Sequence, residues 1–325
     1  MSIIGIESLV YGAEDAAAAI RFFEDFGLPR TGGANGSAGS ADFRLAEGSA
    51  VLIRAAEDPT LPSAAAPGSG PREVMWGVDT LQALGRIAAE LARDREVGRG
   101  NDGTVHARDD SGLAIGFRLY ERTPPLDPPQ AENGLTAIRR WNQLRKWYRR
   151  ARPQVLHHAV FGVPDVDKAV AFYVQRLDFR VTDMIRNVGV FMRCDGRPDH
   201  HNLFLHRGKE PRFNHAAFGV ENIDELMTGV NEMQRLGWKS EEGLGRHRMT
   251  SIIFAYFDCP AGGACEYMCD SDYLTDSWEP HLWEPGFANH HWLSHWDKSV
   301  PAPEWKFRKL PQPLPSFAEA NKLAV

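Results

Sequence analysis

The chain has 325 residues, of which 43% are hydrophobic and 25% charged, and a net charge of −6. This is the balance of a soluble globular protein long enough for two domains, and it supplies no global basic field for nucleic acid. The first residues, MSIIGIESLVYGAEDAA, contain neither a basic start nor a long apolar run, so neither a secretory signal nor a membrane span is expected.

Along the chain one unit recurs. From Ser8, SLVYGAEDAAAAIRFF reads as a strand, an acidic turn and an amphipathic helix, followed by the strand patterns ADFRLAEG and SAVLIRA. From Glu73, EVMWGVDTLQALGRIA repeats it, followed by GTVHAR and LAIGFRLY, with APGSG as a surface loop between the two units. RTPPLDPPQAENG is rich in proline and polar residues and reads as a linker. AIRRWNQLRKWYRRARP then carries Arg139, Arg140, Arg145, Lys146, Arg149, Arg150 and Arg152 among aromatics. In a chain that is acidic as a whole, this segment is expected to be an amphipathic connecting helix, with Trp141, Leu144 and Tyr148 packed inward, rather than a nucleic-acid contact.

The unit returns from His158, HAVFGVPDVDKAVAFY, with VGVFMRC and HNLFLHR, and from His215, HAAFGVENIDELMTGV, with SIIFAYFDC and ACEYMC. Asp165 and Asn222 stand where helix N-caps belong, and Val166, Val170 and Phe172, or Ile223, Leu226 and Val230, form the apolar side. The fold class is therefore α+β: four βαβββ modules paired into two domains. Residues 1–122 form the first domain, 123–153 a linker and basic connecting helix, 154–272 the second domain and 273–325 a C-terminal extension. In that extension WEPHLWEPGFANHHWLSHW is expected to cover one side of the second domain, and LPQPLPSFAEANKLAV to be a loose tail. Cys194, Cys259, Cys265 and Cys269 read as reduced, buried thiols of a cytoplasmic protein.

His158 and His215 occupy equivalent positions of a duplicated module, whereas His157 aligns with Asn214. Neighbouring strand residues face opposite ways, so His158, not His157, is expected to face a site shared with His215. A third ligand is expected on a final strand, where Glu266 lies among apolar neighbours after a turn at Gly262; a carboxylate there is costly to bury unless it is paired or metal-bound. Two imidazoles and one carboxylate with open positions suit non-haem Fe(II), and Mn(II) accepts the same set. The matching positions in the first half, Ser8, Glu73 and Gly116, carry no such set, so only the second domain is expected to bind metal.

These residues resemble the type I extradiol ring-cleavage dioxygenases of the vicinal oxygen chelate superfamily. The family pattern LxHxxxxVxDxxKAxxFY is matched by Leu156, His158, Val163, Asp165, Lys168 and Phe172-Tyr173, HHxxxxV by Asn214-His215 through Val220, and GxxxEY by Gly262, Glu266 and Tyr267. The resemblance implies two open β-barrel-like sheets with outer helices. It also implies Fe(II)-dependent cleavage of a catechol-type substrate with O2 in aromatic catabolism. His201 in HHNL is implied as acid–base residue, with His247 in GRH and Tyr256 as contacts to the substrate oxygens. Taken alone, His200 reads as a surface residue. Tyr256 precedes Glu266 by ten positions, the separation of two strands joined by a tight turn. Where the family often has an acidic residue after GRH, Arg248-Met249-Thr250 stand here. Val188, Val190, Phe191 and Met192, with Arg193 nearby, are expected along the pocket. The alternatives are another metal enzyme of the same scaffold, a glyoxalase-like isomerase or lyase, or a non-catalytic small-molecule-binding protein. The partners expected are the diol, O2 and other copies of the chain in a homo-oligomer, with no nucleic acid and no membrane.

Overall fold

The computed structural model describes residues 3–32, 39–124, 130–294 and 306–324; residues 125–129 of the expected linker and 295–305 of the expected extension lie outside the described residues. Four βαβββ modules follow one another. The first comprises β1 (Ile3–Ala13), α1 (Ala16–Asp25), β2 (Arg30–Gly32), β3 (Ala41–Arg44) and β4 (Ala50–Ala55). The second comprises β5 (Gly70–Val78), α2 (Leu81–Leu91), β6 (Gly98–Arg99), β7 (Val105–Arg108) and β8 (Ala114–Leu119). The third comprises β9 (Val155–Val163), α3 (Val166–Leu177), β10 (Arg180–Ile185), β11 (Gly189–Arg193) and β12 (Leu203–Arg207). The fourth comprises β13 (Arg212–Gly219), α4 (Ile223–Arg235), β14 (Ser240–Arg246), β15 (Ile253–Asp258) and β16 (Ala264–Cys269). The side chains of Asp165 and Asn222 cap α3 and α4 by accepting N–H groups of the first turn, and Asp15 and Thr80 do the same for α1 and α2.

Each pair of modules shares one sheet, with strand order β2-β3-β4-β1-β5-β8-β7-β6 in the first. At the centre the opening strands run antiparallel, β1 with β5 and β9 with β13, and each takes the last strand of its own module on its outer side in parallel. Among the described residues no pairing joins the outer strands, so both sheets stay open. The registers make the duplication concrete. Ser8 pairs with Met75 as His158 pairs with Ala217, and Gly116 pairs with Met75 as Glu266 pairs with Ala217. In the first domain that centre is filled: a Cβ on Gly116 would stand 2.6 Å from Met75 Sδ and 3.2 Å from Glu73 Oε1. Glu73 turns its carboxylate to His106 Nδ1 at 2.8 Å.

One continuous apolar core runs through both domains. Tyr267 stacks on Phe26, the residue that ends α1 (centroids 3.9 Å, 11°), and donates its hydroxyl to the Phe26 carbonyl at 2.7 Å. Trp76 meets Phe179 edge-on at 5.0 Å, and Arg176 reaches Glu90 and Asp94. The four cysteines are free and buried.

Two expectations fail. The segment from Leu135 to Arg152 forms no helix. Side chains take the backbone groups a helix would use: Asn133 Oδ1 accepts the N–H groups of Arg139 and Arg140, and Gln130 accepts from Lys146 N and donates to the Leu144 carbonyl. Arg145 and Lys146 reach Asp224 and Glu221 at the start of α4. The segment thus stays out of a helix, and Trp141 and Leu144 are turned outward, 71% and 81% exposed. Only Tyr148 of the three expected inward residues packs, accepting a hydrogen bond from Asn222 Nδ2 at 2.8 Å.

The tail is not loose either. After β17 (His281–Trp283), α5 (Pro285–Ala288), β18 (Trp292–Leu293) and β19 (Phe307–Lys309), it ends in α6 (Phe317–Ala320). Phe317 is buried, the Asp167 carboxylate accepts the N–H groups of Phe317 and Ala318, and Ser316 and Glu319 form a reciprocal cap. The extension covers the second sheet from both edges, β17 pairing with β10 and β18 with β14.

Candidate active site

Strands β9, β13 and β16 are neighbours, and their inward residues converge. His158 Nε2 lies 3.2 Å and His215 Nε2 3.3 Å from Glu266 Oε2, and the two Nε2 atoms lie 3.4 Å apart. Among the described residues no other trio of histidine, cysteine or acidic donors comes together in this way. His157, as expected, does not line the pocket. It is buried behind His158, Nδ1 to Nδ1 at 3.0 Å. The turn that delivers Glu266 needs glycine: Gly262 and Gly263 both have positive φ, and a Cβ on Gly262 would stand 2.4 Å from the Ser69 carbonyl oxygen. Tyr256 and Glu266 are cross-strand partners, as their spacing predicted.

The proton inventory at the trio is decisive. Asn214 Oδ1 accepts from His215 Nδ1 at 2.7 Å, so a neutral His215 has a bare Nε2. Burial pulls the His158 pKa down to about 4, keeping that imidazole neutral. Neither Glu266 oxygen meets a donor in hydrogen-bond geometry. One buried anion and two imidazoles facing one point fit a divalent cation, which satisfies all three at once.

His201 leans over His158, ring centroids 4.1 Å apart, and burial keeps it neutral. Its Nδ1 lies 3.2 Å from His200 Nδ1, and His200 Nε2 lies 3.2 Å from Asp183 Oδ2. His200 is not a surface residue; it is fully buried. Its N–H bonds to the carbonyl of Asp272, just before the extension, and the extension covers it: Trp278 packs near its ring, and Asp183 accepts the N–H of His281. On the opposite side, His247 Nδ1 donates to the Asn289 carbonyl at 2.6 Å, so its Nε2 accepts from the Tyr256 hydroxyl at 3.2 Å. Burial, then the Glu266 charge, raises the Tyr256 pKa, so the phenol keeps its proton.

These groups surround a cavity of about 310 Å³ walled by Val160, Ile185, Val188, Phe191, Phe204, Met249 and Ile252. Phe191 and Phe204 are stacked at 3.8 Å. His206, Asn214, His247 and Asn289 also border a wider outer cavity with Arg212, Glu242, Asp258 and His290. Of the strand expected along the pocket, Val188 and Phe191 line it, whereas Val190 and Met192 join the main core and Arg193 turns to the Arg197 carbonyl. Met249 and Thr250 line the wall, while Arg248 lies over Phe287. Trp283 and Phe287 back the wall, and from this part of the extension Asn289 reaches the cavity. Sequence reading missed His206, although its two-residue spacing from Phe204 put both on one strand face.

Residues 155–266 match the family described as the glyoxalase/bleomycin resistance protein/dioxygenase superfamily. That stretch holds all three residues of the trio. Metapyrocatechase 2 of Cupriavidus necator is 29% identical over 222 residues, 68% of each chain. A biphenyl-2,3-diol 1,2-dioxygenase of Paraburkholderia xenovorans is 30% identical over 145 residues, 40% of this chain and 48% of that one. The Mn(II)-bound glyoxalase of Novosphingobium aromaticivorans has the same fold, with a TM-score of 0.72 at 21% identity over 94% of this chain and 96% of that one. So does a halotolerant catechol dioxygenase, with a TM-score of 0.71 at 17% identity over 95% and 99%. In this chain the second pair of modules carries the converging trio, and the first carries Ser8, Glu73 and Gly116 at the same register.

Proposed function

We propose that the protein is an Fe(II)-dependent extradiol dioxygenase, which opens the ring of a catechol-type diol beside its hydroxyl pair and places both atoms of O2 in the product, as a step in aromatic catabolism. The observation that carries this reading is the meeting of His158 Nε2, His215 Nε2 and Glu266 Oε2 beneath a cavity walled by stacked aromatics. These three residues would hold the iron, and Mn(II) suits the same donors. When bound, the metal supplies chelation of the two adjacent diol oxygens and electron transfer from diol to O2.

The chain's own groups account for the rest. The diol ring fits between Val160 and the Phe191–Phe204 stack, which excludes water. Tyr256, fixed by His247, presents its oxygen to one diol oxygen and orients it. His201 Nε2 is the base that takes a diol proton on binding and returns it as the O–O bond breaks. The test is anaerobic loading with Fe(II), then addition of monocyclic and bicyclic catechols with O2. One O2 consumed per diol and a yellow ring-opened product are expected; stoichiometric iron without oxygen uptake on any diol would overturn the reading.

The same reading makes the protein a cytoplasmic homo-oligomer. No helix among the described residues is long and apolar enough to cross a membrane. Leu135, Trp141, Leu144 and Trp147 lie in one stretch of the chain and are 71–104% exposed, the kind of apolar surface that serves association. The stretch from Leu135 to Arg152 has seven cations and no acid, so the rest of the chain carries −13. A second copy offers the complementary charge and covers the tryptophans. Trp141→Ser with Trp147→Ser should convert the assembly to monomer by analytical ultracentrifugation; an unchanged mass rejects this surface.

A further inference from the structure

We propose that His206 is a specificity residue, and that the site takes a diol whose substituent extends about one ring's length beyond the hydroxyl pair and ends in an O–H or N–H donor. This rests on the dioxygenase reading above and deepens it.

The argument begins with register. Strand β12 runs parallel to β9, with Phe204 opposite Val160 and His206 opposite Gly162. Phe204 and His206 share the inner face, while Leu203 and Leu205 point into the core. The two strands therefore build the site in layers. His158 lies in the first, Val160 and Phe204 in the second, and Gly162 and His206 in the third. At about 3.3 Å per residue the second layer lies roughly 7 Å and the third roughly 13 Å from His158 along the strand. A diol held by its oxygens at the trio fills the second layer with its ring, and a substituent directed along the strands reaches the third.

The third layer is shaped for a polar group. A Cβ on Gly162 would stand 3.0 Å from His206 Cε1, so the glycine lets the imidazole lie against its own sheet, where it borders both the inner and the outer cavity. His206 Nδ1 lies 3.1 Å from the Arg207 carbonyl oxygen. A carbonyl only accepts, so Nδ1 carries the hydrogen and Nε2 is a bare acceptor. Among the described residues no donor meets Nε2. The hydroxyl or amine of a substituent satisfies it; an ether gives it nothing, and a carboxylate meets it lone pair to lone pair.

The test uses metal-loaded protein and two bicyclic diols that differ only in a hydroxyl or a methoxy group on the second ring. Anaerobic titration gives both dissociation constants without turnover. The hydroxylated diol should bind about tenfold more tightly to the wild type. His206→Phe should abolish that ratio, and His206→Gln, which keeps an acceptor, should retain most of it. Equal binding of the two diols by the wild type, or a ratio that survives in His206→Phe, overturns the proposal. If His206→Phe does not fold, His206→Leu replaces it. Absence of ring cleavage with a hydroxyl preference that depends on His206 would instead remove the dioxygenase reading and leave the subsite standing.

Discussion

The Nδ1 atoms of His200 and His201 stand 3.2 Å apart, in a buried row that ends on Asp183. With Asp183 accepting, His200 donates its Nε2–H to the carboxylate and its Nδ1 accepts from the Nδ1–H of His201. His201 is left with a bare Nε2. One row thus sets the tautomer of the residue proposed to move protons. His201→Gln should lower kcat by 10²–10⁴-fold with iron content unchanged. Asp183→Asn has one oxygen for two donors, His200 and the His281 N–H, and should lower kcat by about tenfold. Metal analysis beside single-turnover rates checks both; lost iron in either variant would show a structural rather than a chemical defect.

Removing Glu266 removes the anion of the trio. Glu266→Ala should bind less than about a tenth of the wild-type iron, and iron should no longer raise its melting temperature, because a metal held by the native state alone stabilises it. Plasma emission spectrometry and thermal melts with and without Fe(II) read the two outcomes.

Tyr256→Phe keeps the ring beside His215 (centroids 5.1 Å) but removes the hydroxyl that bonds His247 Nε2. A fall of roughly tenfold in kcat/KM is expected. Metal affinity should not change. Steady-state kinetics on one catechol, with iron measured in the same samples, separates the two effects.

Asp109 gives a pH dependence outside the site. It accepts the Tyr173 hydroxyl at 3.0 Å, and burial raises its pKa to about 6. The folded state therefore holds a proton that the unfolded chain releases near pH 4. Stability from this group is fully present below pH 4 and is lost as pH rises to 6, by about 3 kcal/mol at most. Asp109→Asn should flatten that part of the stability curve, measured by denaturant unfolding between pH 4 and 7.5. An unchanged slope would remove Asp109 as its source.

The four modules and their pairing were legible in the sequence, which also singled out His158, His215 and Glu266 as a candidate trio. Duplication made this legible, because a histidine at equivalent strand positions of two copies can be recognised without knowing where the strands lie. The register of β1 with β5 and of β9 with β13 bears out that alignment residue by residue. The remaining features arise from contacts between segments far apart in the chain. His200 reads as a surface residue until Trp278 and His281, some eighty residues later, close over it. Leu135 to Arg152 has a helical pattern, but Asn133, Gln130 and the acids of α4 bind its backbone and cations first. The polar tail is ordered because Asp167 caps it from α3. In each case the outcome depends on a partner remote in sequence, and local periodicity carries no record of that partner.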